Sequence, residues 1–444
     1  MKRIFTFIII WTGSIHLDAA ILNVPSQYAT IQAAITAAVA GDTVLVAANA
    51  TYIENIDFLG KDITVKTPNP AADRFTTIID GGANGSVVKF INNETNNARL
   101  QGFTIQNGTG TFHDWWYYMP SLHLAGGGIL CDSPYSFNPN ASNDGSSPTL
   151  SYLVIQDNTA EMGGGLCAWL RSEPVIENTI VRNNVASVNG GGLYFIEAFN
   201  TNGGPPVTLT NVEVTHNTGG INGGSGITAN YTSKVNLMNC TVADNTGSNT
   251  NGEALWKANA AFFEIYNSVF WNLSAALIHD EGGTSATSTI DYSDAANLLG
   301  DLIAGSNMLS ADPLFINPSG NDYHLSSLSP CIDAGTTVNA PPVDLDGNMR
   351  NAVPDIGAYE NTTVGMEEIT QPGITVFPNP AQNEISIVNS GFAKEIKLYD
   401  MEGRMIHAIQ ITPFLETQIN ISKLHRGCYF LTSDNISFQK FVKM

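Results

Sequence analysis

Between residues 149 and 272 the chain repeats itself, and a long internal repeat limits the available folds more than any other feature of the sequence. The segments "PTLSYLVIQDN", "PVIENTIVRNN", "VTLTNVEVTHN", "VNLMNCTVADN" and "FFEIYNSVFWN" align so that Leu150, Ile176, Leu209, Leu237 and Ile265 form one apolar column. Ile155, Val181, Val214, Val242 and Phe270 form a second. Between them stand Tyr152, Asn178, Asn211, Asn239 and Asn267, spaced by 26, 33, 28 and 28 residues, and another polar column follows at Asp157, Asn183, His216, Asp244 and Asn272. Each period then continues through a glycine-containing corner into a short apolar strand: "GGILCD", "GGLCAW", "GGLYFI", "SGITAN", "EALWKA". A period of this length without helical patterning marks a stacked β repeat.

The glycine triplets of "EMGGGLCAW" and "VNGGGLYFI" do not make a phosphate loop. Leu166, Cys167 and Leu193, Tyr194 follow them where Lys-Ser or Lys-Thr would be required. They are not a linker either, because apolar residues flank them at regular distances. Glycine and asparagine tolerate left-handed backbone angles, so both suit tight corners between short strands. One coil cannot bury its inner face, but stacked coils share a core with equivalent positions about 4.8 Å apart. The Asn column is then expected to be structural, its amides bonding from coil to coil.

The chain of 444 residues carries 40 acidic and 19 basic side chains, a net charge of −21. Such a surface repels nucleic acid and other polyanions unless a cation bridges them, which argues against a nucleic-acid partner. Lys2 and Arg3, an apolar run over 4–11 and small residues at Ala19 and Ala20 read as a signal peptide spanning 1–20. That run is short for a membrane span, and no later stretch has the length of one. The five cysteines, Cys131, Cys167, Cys240, Cys331 and Cys428, have no metal-binding spacing and read mostly as small buried hydrophobes, with one disulfide open to them after export.

The repeat resembles the right-handed parallel β-helix of the pectin-lyase-like superfamily, over about residues 22–361. The segment "YATIQAAITAAVAGDTVLVAANATYIENIDF" is similar to that family's entry, which implies a capping helix over 30–38 and first strands over 43–47 and 53–58. The segment "DPLFINPSGNDYHLSSLSPCIDAG", with "DLDGNMRN" and "DIGAYE", resembles the closing segment of secreted bacterial β-helix proteins. The expected organisation is a β-helix over 21–361 whose closing segment covers 308–361, a linker over 362–373 and a further domain over 374–444.

That last domain reads as alternating strands: "ITVFPNPAQNEISIVN", "EIKLYDMEGRMI", "INISKLHRGCYFLTS" and "ISFQKFVKM". It resembles the C-terminal sorting domain of the type IX secretion system, a small β-sandwich. The residues that carry the resemblance are Pro378, Asn379 and Pro380, then Gly403 and Arg404, Gly427 and Tyr429, and the basic end at Lys440 and Lys443; Cys428 stands where the family often has Ile or Val. The resemblance implies the type IX secretion machinery as partner and delivery to the cell surface or the medium.

The β-helix fold hosts lyases, hydrolases, esterases and adhesins, so chemistry must be sought in residues. A lyase of uronic-acid polymers needs a Lys or Arg as base and a cation, Ca²⁺ for example, beside the substrate carboxylate. The candidates are Lys257 and Arg171, with Arg182 and Lys234 on the same coils. Lys257 falls in the inward register of Ala168, Phe195 and Ala229, which places it at a strand end or a local distortion. A hydrolase needs paired carboxylates, for which Glu253, Asp280 and Glu281 are candidates. Sugar binding would use aromatic faces: Trp115, Trp116, Tyr117 and Tyr118 in the insertion over 111–128, and Trp169, Tyr194 and Trp256 at outward positions. The competing reading folds the insertion over these rings as a small satellite core. His113 and His123 lack a spaced carboxylate partner for a metal. Asp344, Asp346 and Asn348 alternate as in a calcium loop, with Asp355 at the twelfth position, but lack the glycine at the sixth, and a structural turn is the competing reading.

The leading expectation is a secreted or surface β-helix that binds polysaccharide or another surface partner along one flank. A polysaccharide lyase or glycoside hydrolase using the same groove is the alternative, and a non-catalytic adhesin-like stalk the third.

Overall fold

A computed structural model describes residues 19–114, 122–133, 145–197, 205–247, 254–271, 278–280, 288–295, 302–362, 374–389, 395–410, 416–433 and 438–444. The chain divides into two compact units, residues 1–362 and 363–444.

The first unit is a right-handed parallel β-helix. In one representative coil the chain passes through Thr149–Ser151, Val154–Gln156, Thr159–Met162 and Leu166–Trp169. Each strand pairs in parallel with its counterpart in the next coil: Leu150 with Ile176, Ile155 with Val181, Ala160 with Ala186, Leu166 with Leu193. Four ladders result. The first runs from Ile21–Val24 to Leu302–Ala304, the second from Thr51–Ile53 to Asp294–Ala295, and the third from Ile56–Asp57 to Ile278–Asp280. The fourth is short, from Leu122–Ala125 to Thr246–Gly247, with Thr111–Asp114 antiparallel at its edge. A crossover between parallel neighbours takes the right-handed sense because the strands themselves twist that way.

Both apolar columns of the repeat lie in the core: Leu150, Ile176, Leu209, Leu237 and Ile265, and Ile155, Val181, Val214, Val242 and Phe270, all lack solvent exposure. The corner between first and second ladders is Tyr152, Asn178, Asn211, Asn239 and Asn267, every one left-handed with φ between 47° and 52°. Asp157, Asn183, His216 and Asp244 form the next corner in the same conformation. At the glycine corner Gly163 has φ 63°, and a Cβ on Gly164 would stand 2.6 Å from the carbonyl oxygen of Gly191 in the coil above. Only glycine lets the backbones approach that closely.

A continuous Asn ladder exists, but one residue beyond the second corner. Asn158, Asn184, Asn217 and Asn245 are buried, and each Nδ2 donates to the next Oδ1 at 3.0 Å along the series 158, 184, 217, 245. The reason is geometric: a left-handed corner turns its own side chain outward, and the following residue points in. The outward Asn column instead pairs only as Asn211 with Asn178 and Asn267 with Asn239, and its amides also reach the closing segment.

The open end is capped by the helix Ile31–Ala37, with Ile31, Ala34 and Ile35 buried on the first coils. Thr30 Oγ1 accepts from Ala33 N, and the Glu54 carboxylate accepts from the N–H groups of Ile31 and Gln32. At the other end Lys61 Nζ donates to the carbonyls of Ile35, Thr36 and Ala38. Opposite charges thus complement the two ends of the helix dipole.

In the second unit, Ile374–Phe377, Glu384–Asn389 and Glu416–Asn420 form one antiparallel sheet. Met405–Gln410, Glu395–Tyr399, Gly427–Ser433 and Phe438–Lys443, in that spatial order, form a second. Ile385, Ile387, Ile396, Leu398, Tyr429, Leu431 and Phe441 make a core of their own. All five cysteines are unpaired, and all but Cys428 are buried.

Candidate functional site

The outward positions of the three long ladders meet different fates. On the second ladder Val154, Ile180, Glu213, Thr241 and Val269 lie in register and are buried, because the segment 315–360 folds back over them. Tyr323, Leu345, Ala358 and Tyr359 pack on Val154, Ile180 and Ala243, while Leu325, Cys331 and Ile356 pack on Val269. The closing segment therefore straps one flank rather than only ending the stack.

A polar network holds the strap. Asn211 Nδ2 donates to Val343 O, Asn239 Nδ2 to Asp355 O and Asn267 Nδ2 to Thr336 O, so the outward Asn column is the rail on which an irregular peptide docks. The Arg350 side chain is buried, 3.1 Å from Glu360, and also donates to Asn211 Oδ1. Arg74 is buried between Asn178 O and Leu345 O, 3.7 Å from Asp346. Desolvation lowers the pKa of both guanidinium groups. Glu213, buried beneath the strap, accepts from Tyr359 Oη at 2.6 Å and from Thr215 Oγ1, and burial raises its pKa. Tyr323 Oη donates to Asp244 at 2.8 Å. His324 lies between Asp322 and Asp346, at 2.7 and 2.8 Å, against the ring of Tyr359. The hydrogen bond to Asp346 leads the causes that raise its pKa to about 9.

The calcium-loop candidates belong to this strap, and their oxygens are spent on it. Asp344 is buried; its Oδ1 accepts from Asp346 N and Asn348 N, its Oδ2 from Asn348 Nδ2 and Glu360 N. Asp346 faces His324 and Arg74. Asp355 accepts from the N–H groups of Asp333 and Asn361, and burial raises it to about 6. The turn is held by these internal hydrogen bonds, and among the described residues no group of three or more His, Cys, Asp and Glu side chains is placed to hold a metal ion.

The third ladder is closed as well. Cys167, Trp169, Tyr194 and Ile196 point outward, with Ala125, Leu130 and Met162 beside them, and form a satellite core. Trp169, Tyr194 and Trp256 are 4%, 1% and 4% exposed, so their faces are packed against protein and are not open for stacking on a sugar. Trp169 also stands one column away from the other two: Tyr194, Thr228 and Trp256 share a register, whereas Trp169 pairs with Ile196. Trp115, Trp116, Tyr117 and Tyr118 lie outside the described residues.

Lys257 is buried at the inward end of Leu255–Lys257, in register with Ala229 on one side and Asp280 on the other. Arg171 sits on a left-handed corner, φ 58°, its N–H bonded to Glu197 O. Glu253 and Glu281 lie outside the described residues. Arg182 Nε donates to Gln156, and Lys234 Nζ stands 5.2 Å from the centroid of the Phe262 ring. His123 Nδ1 is 2.8 Å from Glu161, a carboxylate on the adjoining strand that no sequence spacing announced.

On the short fourth ladder the registered column Thr159, Val185, Thr218 and Thr246 is exposed, and of the three long ladders the first keeps an uncovered outward face. Glu177, Thr210, Met238, Tyr266 and Asp291 form one registered column, and Val175, Thr208, Asn236, Glu264 and Thr289 the next, and all ten are half-buried as side chains on an open sheet are. Sequence reading missed this face because its polar, aliphatic and aromatic residues look like ordinary strand exteriors. It also missed Glu213, although a charge in the column Val154, Ile180, Thr241 and Val269 is a legible anomaly.

In the second unit, Asn379 Nδ2 donates to Lys440 O, and Asn379 Oδ1 accepts from Val442 N, which fastens the Pro378, Asn379, Pro380 stretch along the last strand. Gly403 takes φ 76° in a turn where Asp400 accepts from the N–H and Nε of Arg404. Tyr429 Oη donates to His425 O; Lys443 Nζ donates to Met444 O, and Gly427 pairs with Lys443 across the last two strands.

The molecule is thus a β-helix carrying a small antiparallel sandwich. Residues 375–444 match the family described as the secretion system C-terminal sorting domain. The tail is a type IX sorting domain, and the protein is exported to the cell surface or the extracellular space. None of the curated proteins matches the chain. Among solved structures, a pectin methylesterase from carrot is 11% identical, covering 68% of this chain and 90% of its own, with a TM-score of 0.36. The receptor-binding domain of the siphovirus 9NA tailspike is 14% identical, covering 95% and 98%, with a TM-score of 0.19. At those scores the fold rests on the chain's own strand pairing. No helix among the described residues is long and apolar enough to cross a membrane.

Proposed function

We propose that this exported β-helix binds an extended, uncharged or cationic polysaccharide along the outward face of its first ladder, without cleaving it. One observation carries the reading: over the coils between residues 149 and 271 the second and third ladders are packed over on their outer sides, while the first stays open through the same consecutive coils. A polymer with a regular repeat suits a flat face whose side chains recur at the coil spacing of about 4.8 Å. Tyr266 and Met238 offer apolar surface to a sugar ring, while Asn236, Glu264 and Thr210 offer hydrogen bonds. The net charge of −21 disfavours a polyanion.

The test is affinity electrophoresis of the exported protein in gels holding neutral or acidic polysaccharides, with and without Ca²⁺, while reducing ends and unsaturated uronates are followed. A neutral polymer should retard the protein, and Tyr266→Ala should weaken retention about fivefold to tenfold. Failure of every polymer to retard it would sink the proposal, and release of product would move the protein to the lyases or hydrolases.

A further inference from the structure

The two edges of the four-stranded sheet in the tail are treated differently. The edge formed by Phe438–Lys443 is covered: Ala381 bridges to Lys443, Ala381 N donates to Val442 O, Met444 N donates to Ala381 O, and Asn379 bonds both ways with the same strand. The Pro378 to Pro380 motif is the chain's device for closing that edge. At the opposite edge Met405–Gln410 pairs with Glu395–Tyr399 on one side, and among the described residues no strand pairs with it on the other.

This free strand is exposed on both faces. Five of its six residues are exposed and Ile409 is half-buried. Met405 is 58% and Ile406 41% exposed, and Met401 in the preceding turn is 71% exposed. The strand MIHAIQ carries no proline, lysine or acidic residue, the usual guards of an edge. Its unmatched row of N–H and C=O groups is complementary to one kind of object, another extended strand, and the flanking apolar side chains would supply its pockets.

We infer that Met405–Gln410 is the surface through which the tail is taken up, by addition of a β-strand from the export machinery to this edge. The inference rests on the sorting reading of residues 375–444, which supplies the partner. A second copy of this chain is the competing occupant.

The experiment expresses the full chain in a host with an active type IX system and follows the protein in medium, surface and periplasm. Removal of residues 374–444 must abolish export, and if it does not, the sorting reading itself fails. With that control in place, Ala408→Pro, which deletes one edge N–H, and Ile406→Lys, which guards the edge, should each lower export about tenfold and leave protein in the periplasm. Phe377→Lys, at another exposed apolar residue of the tail, should export normally. Circular dichroism of the retained full-length variants must match the parent. If Ala408→Pro unfolds, Ile406→Lys decides. A photo-crosslinking residue at 406 should capture an outer-membrane component of the secretion machinery. Export of folded Ile406→Lys at the parental rate, or crosslinks only to another copy of the chain, would overturn the inference.

Discussion

At the scale of single residues, the interior of the coil stack depends on polar groups as much as on aliphatic ones. Asn217 Oδ1 accepts from both the N–H and the side chain of Asn184, and its Nδ2 donates to Val181 O and Asn245 Oδ1. Asn217→Ala leaves the buried N–H and Nδ2 donors of Asn184 without this acceptor and takes a donor from Val181 O and Asn245 Oδ1, and we predict a loss of about 2–3 kcal/mol, seen as a lower urea midpoint. Asn222→Ala, at an exposed residue, should stay within about 0.5 kcal/mol of the parent. His324 makes a pH prediction. Its folded pKa of about 9 lies above the ordinary 6.5, so its contribution is complete below pH 6.5 and is lost as pH rises through about 9. Asp322, Asp346 and Tyr359 face the ring, which is 38% exposed, so screening leaves the effect near ~1 kcal/mol. The thermal midpoint should fall across that interval, and His324→Gln should flatten the slope; an equal slope in the variant refutes the assignment. The apolar columns were legible in the repeat because core packing imposes a strict period. The continuous Asn ladder was expected at Asn178, Asn211, Asn239 and Asn267 and lies six positions later in each coil, at Asn184, Asn217 and Asn245, because a left-handed corner turns its own side chain outward and the next residue in, and composition does not report φ.

Among the elements, the helical cap and the strap do opposite jobs with the same means, placing charge against unpaired backbone. The helix Ile31–Ala37 is too short to persist alone, and Glu54 and Lys61 tie its ends to the first coils. Lys61→Met removes the donor for three carbonyls and should cost about 1–2 kcal/mol, with fraying of the N-terminal coils visible in hydrogen exchange and the far coils unaffected. Under the strap, Tyr359→Phe takes from the buried Glu213 its shortest hydrogen bond. The expected cost is about 2 kcal/mol at neutral pH, smaller in acid, because a carboxyl whose pKa burial has raised is neutral there. A loss independent of pH would place the tyrosine's role in packing alone. The helix was expected over 30–38 and spans 31–37, since a threonine cap followed by an apolar period is a local signal. The path of the closing segment was not legible: its contacts join residues more than a hundred positions apart, such as Arg350 with Asn211, and periodicity says nothing about which flank an irregular peptide will cover.

For the molecule as a whole, the distribution of cover matters more than any single side chain. Of the aromatic residues that look most like a sugar platform in the sequence, Trp169 and Tyr194 are spent on a satellite core and Trp256 is buried, and the acidic turn at Asp344 is held within the strap. Of the long ladders the exported β-helix leaves the first open, with Met238 and Tyr266 on adjacent strands toward its C-terminal end. Hydroxyl-radical footprinting of the exported protein, with and without the polysaccharide that retards it, reads that face directly. Met238 and Tyr266 are expected to become protected on binding while Met349, 72% exposed on the strap side, is oxidised as before. Unchanged oxidation of Met238 and Tyr266 in the retarded complex, or protection confined to the insertion that holds Trp115 and Trp116, would contradict the proposed binding face.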